Sequence, residues 1–162
     1  MGVKRFGDWS EAESLLTNGF RQRMALAIRQ ATIKYALLLV REIKRGIRSQ
    51  APGGKAFTPL AQVTIERKGS SKALIDTGFL VNAITQKILS DGAFVGLLRT
   101  SIRNGGESVA NIGAIMEYGC TINHPSGAVI VIPPRPFLHP TMLKYRDEVI
   151  ENYRQALRSV LR

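Results

Sequence analysis

The sequence predicts an α+β fold in which a long N-terminal helix and a C-terminal helix pack on a mainly antiparallel β-sheet. Two observations carry this. Amphipathic stretches at 20–50 and 139–161 have helical spacing, and the apolar runs between them are short and punctuated by Gly, Asp, Asn and Pro. Helices at both ends with strands between them give an α+β layering. A chain of 162 residues reads as a single domain, 1–162, that buries roughly 70% of the surface its unfolded form exposes.

Each element follows from local signals. Ser10 and Glu13 have the spacing of a capping box, which starts a helix near Glu11 after an arm of residues 1–9. Thr17, Asn18 and Gly19 mark a point of interruption. From Phe20 the apolar residues Met24, Ala27, Ala31, Tyr35, Leu38, Ile43 and Ile47 step by three to five, and the helix runs to about Gln50. Such a helix is about 45 Å long, more than one core needs, so part of it is expected to touch a neighbour. Leu37, Leu38, Leu39 and Val40 are apolar around the whole helix circumference and predict cover from more than one side.

Ala51-Pro52-Gly53-Gly54 stops the helix, and loop-like sequence continues to Leu60. A short helical or extended piece follows to Arg67, then an exposed loop at 68–72. Asp76-Thr77-Gly78 is a turn in which Asp76 serves as a turn or N-cap acceptor. Leu80–Leu89 and Ala93–Arg99 flank Ser90-Asp91-Gly92, a hairpin signal, with strand assigned from about Ala83. Asn104-Gly105-Gly106 makes another loop. Val109–Tyr118 suits a short helix ended by Gly119, residues 120–127 read as an exposed loop, and Ala128–Ile132 is a strand stopped by Pro133-Pro134-Arg135-Pro136. The last helix places Met142, Tyr145, Val149, Tyr153, Ala156 and Val160 on one face.

Charge is the extreme property: 23 Lys and Arg against 12 Asp and Glu give +11, concentrated in the N-terminal third. That balance favours phosphate or an acidic protein surface, and the basic helix residues Arg41, Lys44, Arg45 and Arg48 suit either partner equally. No apolar run approaches the roughly 20 residues of a membrane span, and Met1–Gly7 is not followed by the apolar core of a secretory signal. No membrane partner is expected, and the chain is expected in the cytoplasm. The single Cys120 excludes an internal disulfide. No Gly-x-Ser-x-Gly, His-Glu-x-x-His or Walker loop is present, and Cys120, His124 and His139 fall short of a zinc set. Catalysis, cofactor and metal are therefore not expected, although Cys120 and His124 formally allow a nucleophile and base.

Three segments in order carry a family resemblance: Leu74-Ile75-Asp76-Thr77-Gly78-Phe79-Leu80 followed by Ile84; Ala114-Ile115-Met116-Glu117-Tyr118-Gly119; and Ile132-Pro133-Pro134-Arg135-Pro136-Phe137-Leu138 before a closing helix. Together they resemble the tail-completion, or virion-morphogenesis, proteins of tailed bacteriophages, over roughly residues 20–160. Cys120 stands where that family more often has a small hydroxyl residue, and the Thr121–Gly127 loop is longer. The resemblance implies a non-enzymatic structural protein of the virion neck or tail, assembled in the bacterial host cytoplasm. It further implies a homo-oligomeric ring, typically hexameric, that completes the tail and joins it to the head connector, with the tail tube or terminator protein and head-connector proteins as partners.

The interface candidates are Arg41, Lys44, Arg45 and Arg48 on the helix, Lys68 and Lys72 in the basic loop, and Asp76, Thr77, Gly78, Glu117, Tyr118, Arg135 and Phe137 in the three segments. Arg135, held between prolines, is suited to a bidentate pair with a carboxylate of a neighbouring subunit. Non-specific contact with passing double-stranded DNA is compatible with the charge. A bore lined by Lys and Arg would retard that DNA, so most basic side chains are expected away from the lumen or against acidic surfaces of ring neighbours. The alternative reading is a basic DNA-binding accessory protein.

Overall fold

The computed structural model describes residues 18–102 and 106–161. The arm at 1–9, the Ser10/Glu13 cap, the helix start near Glu11 and the Asn104-Gly105 part of a loop lie outside them. Helix α1 spans Asn18–Arg48 without a break. It ends where Gln50 takes a left-handed conformation (φ 62°) and Pro52 begins a 3-10 turn, Pro52–Gly54. Proline here fits the first position of a tight turn and cannot continue the helix above it.

Helix α2, Gln62–Lys68, ends at Gly69, whose φ of 68° lets its N–H return to the Ile65 carbonyl at 2.8 Å. Helix α3, Phe79–Ala83, runs directly into β1, Ile84–Ile88. Strand β1 pairs antiparallel with β2, Ala93–Leu97, from Ile84↔Leu97 to Ile88↔Ala93 around the expected Ser90-Asp91-Gly92 turn. Helix α4 is Val109–Tyr118, and α5 is His139–Val160.

One segment differs from its sequence reading. Residues Cys120–Asn123 form β3, paired antiparallel with β4, Val129–Ile132, so only the tip from His124 to Ala128 is a turn. Pro125, Ser126 and Gly127 give the stretch a loop composition, but they occupy the tip, and the β-branched Thr121 and Ile122 ahead of them pair with β4. Among the described residues the strands thus form two separate two-stranded antiparallel sheets.

The core lies under the C-terminal half of α1. Ile43 and Ile47 meet Val81, Ile84, Leu97, Val109 and Phe137, all nearly or fully buried. The β1–β2 hairpin covers one side of α1, and α5 runs antiparallel along another, with Tyr145 beside Glu42 and Tyr153 beside Thr32 and Tyr35. The face of α1 toward the N-terminus is less covered than its periodicity predicts: burial starts at Ala31, and Leu37 is 50% exposed instead of enclosed. No described helix is long and apolar enough to cross a membrane.

Candidate functional site

The last turn of α4 and the proline-rich segment after β4 are held together by Glu117 and Arg135. Glu117 is buried, and its carboxylate accepts three backbone N–H groups: Phe137 at 2.8 Å, Leu138 at 3.0 Å and His139 at 2.9 Å. His139 is the first residue of α5, so a side chain from another helix satisfies donors that α5 cannot pair internally and places a negative charge at its positive end. Thr141 adds a buried bond from its hydroxyl to the Phe137 carbonyl at 3.0 Å.

Arg135 is also buried. Its guanidinium donates to the carbonyls of Thr58 and Pro59, both at 2.9 Å, while its backbone N–H donates to Met116 at 2.7 Å. Burial lowers the guanidinium from its ordinary value. This corrects the expectation of a charge offered to a neighbouring subunit. Arg135 instead fastens the 55–61 loop to the chain leaving β4. Phe137 is fully buried in the core, so Glu117, Arg135 and Phe137 act inside the subunit and are not contact residues on its surface.

A second internal fastening is absent from the sequence reading. The Gln50 side chain accepts from the Ala73 N–H at 2.5 Å and donates to the Ala73 carbonyl at 3.0 Å and the Ile47 carbonyl at 2.6 Å. One amide thereby closes α1 and fixes the chain ahead of the Asp76 turn. Gly78 occupies the N-cap position of α3 with φ 78°, so the Asp76-Thr77-Gly78 turn leads directly into that helix.

The three segments do converge, on an open groove of about 840 Å³ between α2, the Asp76–Leu80 turn, α4 and β4. Apolar Leu60, Leu80, Ile112, Met116, Ile130 and Val131 line it together with Arg67, Lys68, Asp76, Thr77 and Gly78. Lys68 donates from Nζ to the Lys72 carbonyl, closing the 68–72 loop on itself. Tyr118, at 80% exposure, lies at the end of α4. Arg41, Lys44, Arg45 and Arg48 do not line this groove. They occupy the C-terminal half of α1, where Arg41 and Arg45 pair with the buried Glu42 at 3.0 and 3.6 Å while remaining largely exposed.

The hairpin β3–β4 is the most exposed apolar element. Ile122, Val129, Ile130 and Val131 are 41–67% exposed. Cys120 begins β3 and His124 follows its last residue, about 13 Å away at the rise of an extended strand, so they do not form a nucleophile and base pair. His124 instead shares a 2.8 Å bond with Ser126 across the hairpin tip. Among the described residues no group of three or more His, Cys, Asp or Glu is placed to hold a metal ion.

Compared with protein-family models, with curated proteins and with solved structures, the chain matches none.

Proposed function

We propose that the chain is a structural virion protein of a tailed phage, forming a homo-oligomeric, hexameric ring at the neck or tail end. There it completes the tail and joins it to the head connector. The observation that supports this best is the β3–β4 hairpin: a two-stranded sheet with Val129, Ile130 and Val131 exposed, standing between two of the three segments that carry the phage resemblance. A hairpin of two strands is marginal in water by itself, and an uncovered apolar strand edge invites pairing with another chain. Such a surface suits a subunit whose stable form is an assembly.

The polar architecture fits a binding role. Two charged residues of the three segments, Glu117 and Arg135, brace the subunit through backbone groups and so support the groove and hairpin. Its partners are itself, the tail tube or terminator protein, and head-connector proteins, with non-specific contact to passing double-stranded DNA.

A second reading, a basic DNA-binding accessory protein, is favoured by the exposure of Arg41 and Arg45 beside Arg48. Duplex affinity that falls steeply with added salt separates the two. The test of the first reading is deletion of the gene from the genome that carries it, with electron microscopy of the lysate. Filled heads apart from finished tails, restored to joined particles by complementation, are expected; normal joined particles without the protein contradict it.

A further inference from the structure

We propose that residues 6–17, which lie outside the described structure, cover the N-terminal half of α1 in their own chain, an acidic strap on a basic helix. The proposal stands whatever assembly the chain enters, so it does not depend on the ring reading. On α1, Leu26 (58% exposed), Ile33 and Leu37 (50%) fall within about 40° of one another at 100° per residue, on the side opposite the Tyr35 face that meets α5. Arg29 flanks this stripe on one side, and Arg23 and Lys34 flank it on the other. From Asn18 to Leu37 the helix carries Arg21, Arg23, Arg29 and Lys34 and no acid. Among the described residues neither Arg23 nor Arg29 has a carboxylate partner. Glu42 is taken by Arg41, Arg45 and Tyr145, Glu117 by backbone N–H groups, and Glu151 by Arg154 and Arg158.

The sequence ahead of α1 supplies the complement. Residues 6–17 hold Asp8, Glu11 and Glu13, a quarter of the acidic residues of the chain, with no Lys or Arg among them. They also hold Phe6, Trp9, Leu15 and Leu16. At the helical spacing that the Ser10/Glu13 capping box predicts, Ala12, Leu15 and Leu16 share an arc of about 100°, with Glu11 beyond one edge and Glu13 beyond the other. An apolar arc between two acids thus answers an apolar stripe between basic flanks. Covalent attachment selects the segment's own helix, because a short tether holds the two surfaces at an effective concentration of about millimolar. Reversal of the chain at Thr17, where the helical pattern is interrupted, brings Trp9 level with Leu26. Reach excludes the groove of the same chain. Trp9 stands nine residues before Asn18, at most about 32 Å of extended chain, whereas Ile43, which shares the core with groove residue Val109, lies about 37 Å along α1.

Trp9 is the one tryptophan of the chain, so its fluorescence reads the strap directly in the full-length protein. Wild type is expected to emit at the short wavelengths of a covered indole, to resist acrylamide quenching, and to do both equally at every protein concentration. L26K/L37K, at exposed positions of α1, is expected to shift the emission to that of free tryptophan and to raise quenching several-fold while circular dichroism is kept. I130K in the groove is expected to leave Trp9 unchanged. E11K/E13K is expected to release the strap, and R23E/R29E added to that chain to restore it by exchanging the charges. Should L26K/L37K fail to fold, bimane attached to Q30C in a C120A chain serves instead: Trp9 is expected to quench it, and W9F to restore its emission. A fully exposed Trp9 in wild type, emission indifferent to L26K/L37K, sensitivity to I130K, release that the charge exchange does not reverse, or bimane indifferent to W9F each overturns the proposal. Emission that reddens on dilution also overturns it, because the segment would then sit on a second copy.

Discussion

Glu117 and Phe137 are joined by a buried hydrogen bond of 2.8 Å, from the Phe137 backbone N–H to a carboxylate oxygen of Glu117. The same carboxylate accepts from Leu138 and from His139 at the head of α5, so one side chain at the end of α4 positions the start of the longest contact partner of α1. Core and helix pair are thereby coupled: Phe137 fills the former and α5 forms half of the latter.

Removing that carboxylate leaves buried backbone donors unpaired. Glu117→Ala is expected to lower unfolding free energy by about 3 kcal/mol, and Glu117→Gln to recover only part of it, because its amide N–H₂ meets an N–H that needs an acceptor. Urea denaturation reads this as a lowered midpoint at unchanged slope; an unchanged midpoint would show that the three bonds contribute nothing net.

The Glu42–Tyr145 joint between α1 and α5 makes stability depend on pH at both extremes. The Tyr145 hydroxyl at 2.8 Å, then Arg41 and Arg45, hold Glu42 below its ordinary value of 4.5 against the upward push of burial. A lowered carboxyl contributes stability that is complete above pH 4.5 and is lost as pH falls through its folded value. Tyr145 is raised above 10.0, chiefly by the same bond, so its contribution is complete below pH 10.0 and is lost as pH rises through the folded value. Tyr145→Phe should flatten both flanks of a denaturation-midpoint profile against pH; a profile parallel to wild type would exclude the joint as their source.

Arg135 tests how the 55–61 loop is held. Arg135→Lys keeps the charge but loses the fork that reaches the Thr58 and Pro59 carbonyls together, with an expected loss of about 2 kcal/mol. Trypsin cleavage after Lys55 should accelerate in the folded variant. Cleavage at the wild-type rate would mean that the loop is secured elsewhere.

Gly53 combines a left-handed φ of 64° with a backbone approach in which an added Cβ would overlap the Pro140 carbonyl. Gly53→Ala is expected to cost more than about 1 kcal/mol, because neither the dihedral nor the rigid Pro140 backbone can yield cheaply. Thermal denaturation checks it; a stabilised Gly53→Ala would require the turn to move away from α5.

Local signals were readable in the sequence and long-range ones were not. Ser90-Asp91-Gly92 placed the β1–β2 turn, and Gly119, at φ 79°, ended α4 where its composition indicated. Glu117, by contrast, bonds 20 residues ahead, Arg135 bonds 76 and 77 residues back, and Gln50 reaches 23 residues to Ala73. All three act on backbone groups, which every residue carries, so the acceptors and donors have no sequence signature. Glu117 and Arg135, expected as contacts for another subunit, are braces within this one, since spacing reports which side chains recur and not which way they point. The exposed β3–β4 face depends on residues 120–123 forming a strand, which the loop composition of the stretch hid.

The central claim, a ring subunit at the head–tail junction, is tested most directly by locating the protein in purified particles. With an affinity tag appended to the C-terminus of the chain and gold-labelled antibody, the account predicts label at the neck of intact virions and at the head-proximal end of isolated tails. Particles that join normally and carry none of the protein would contradict it.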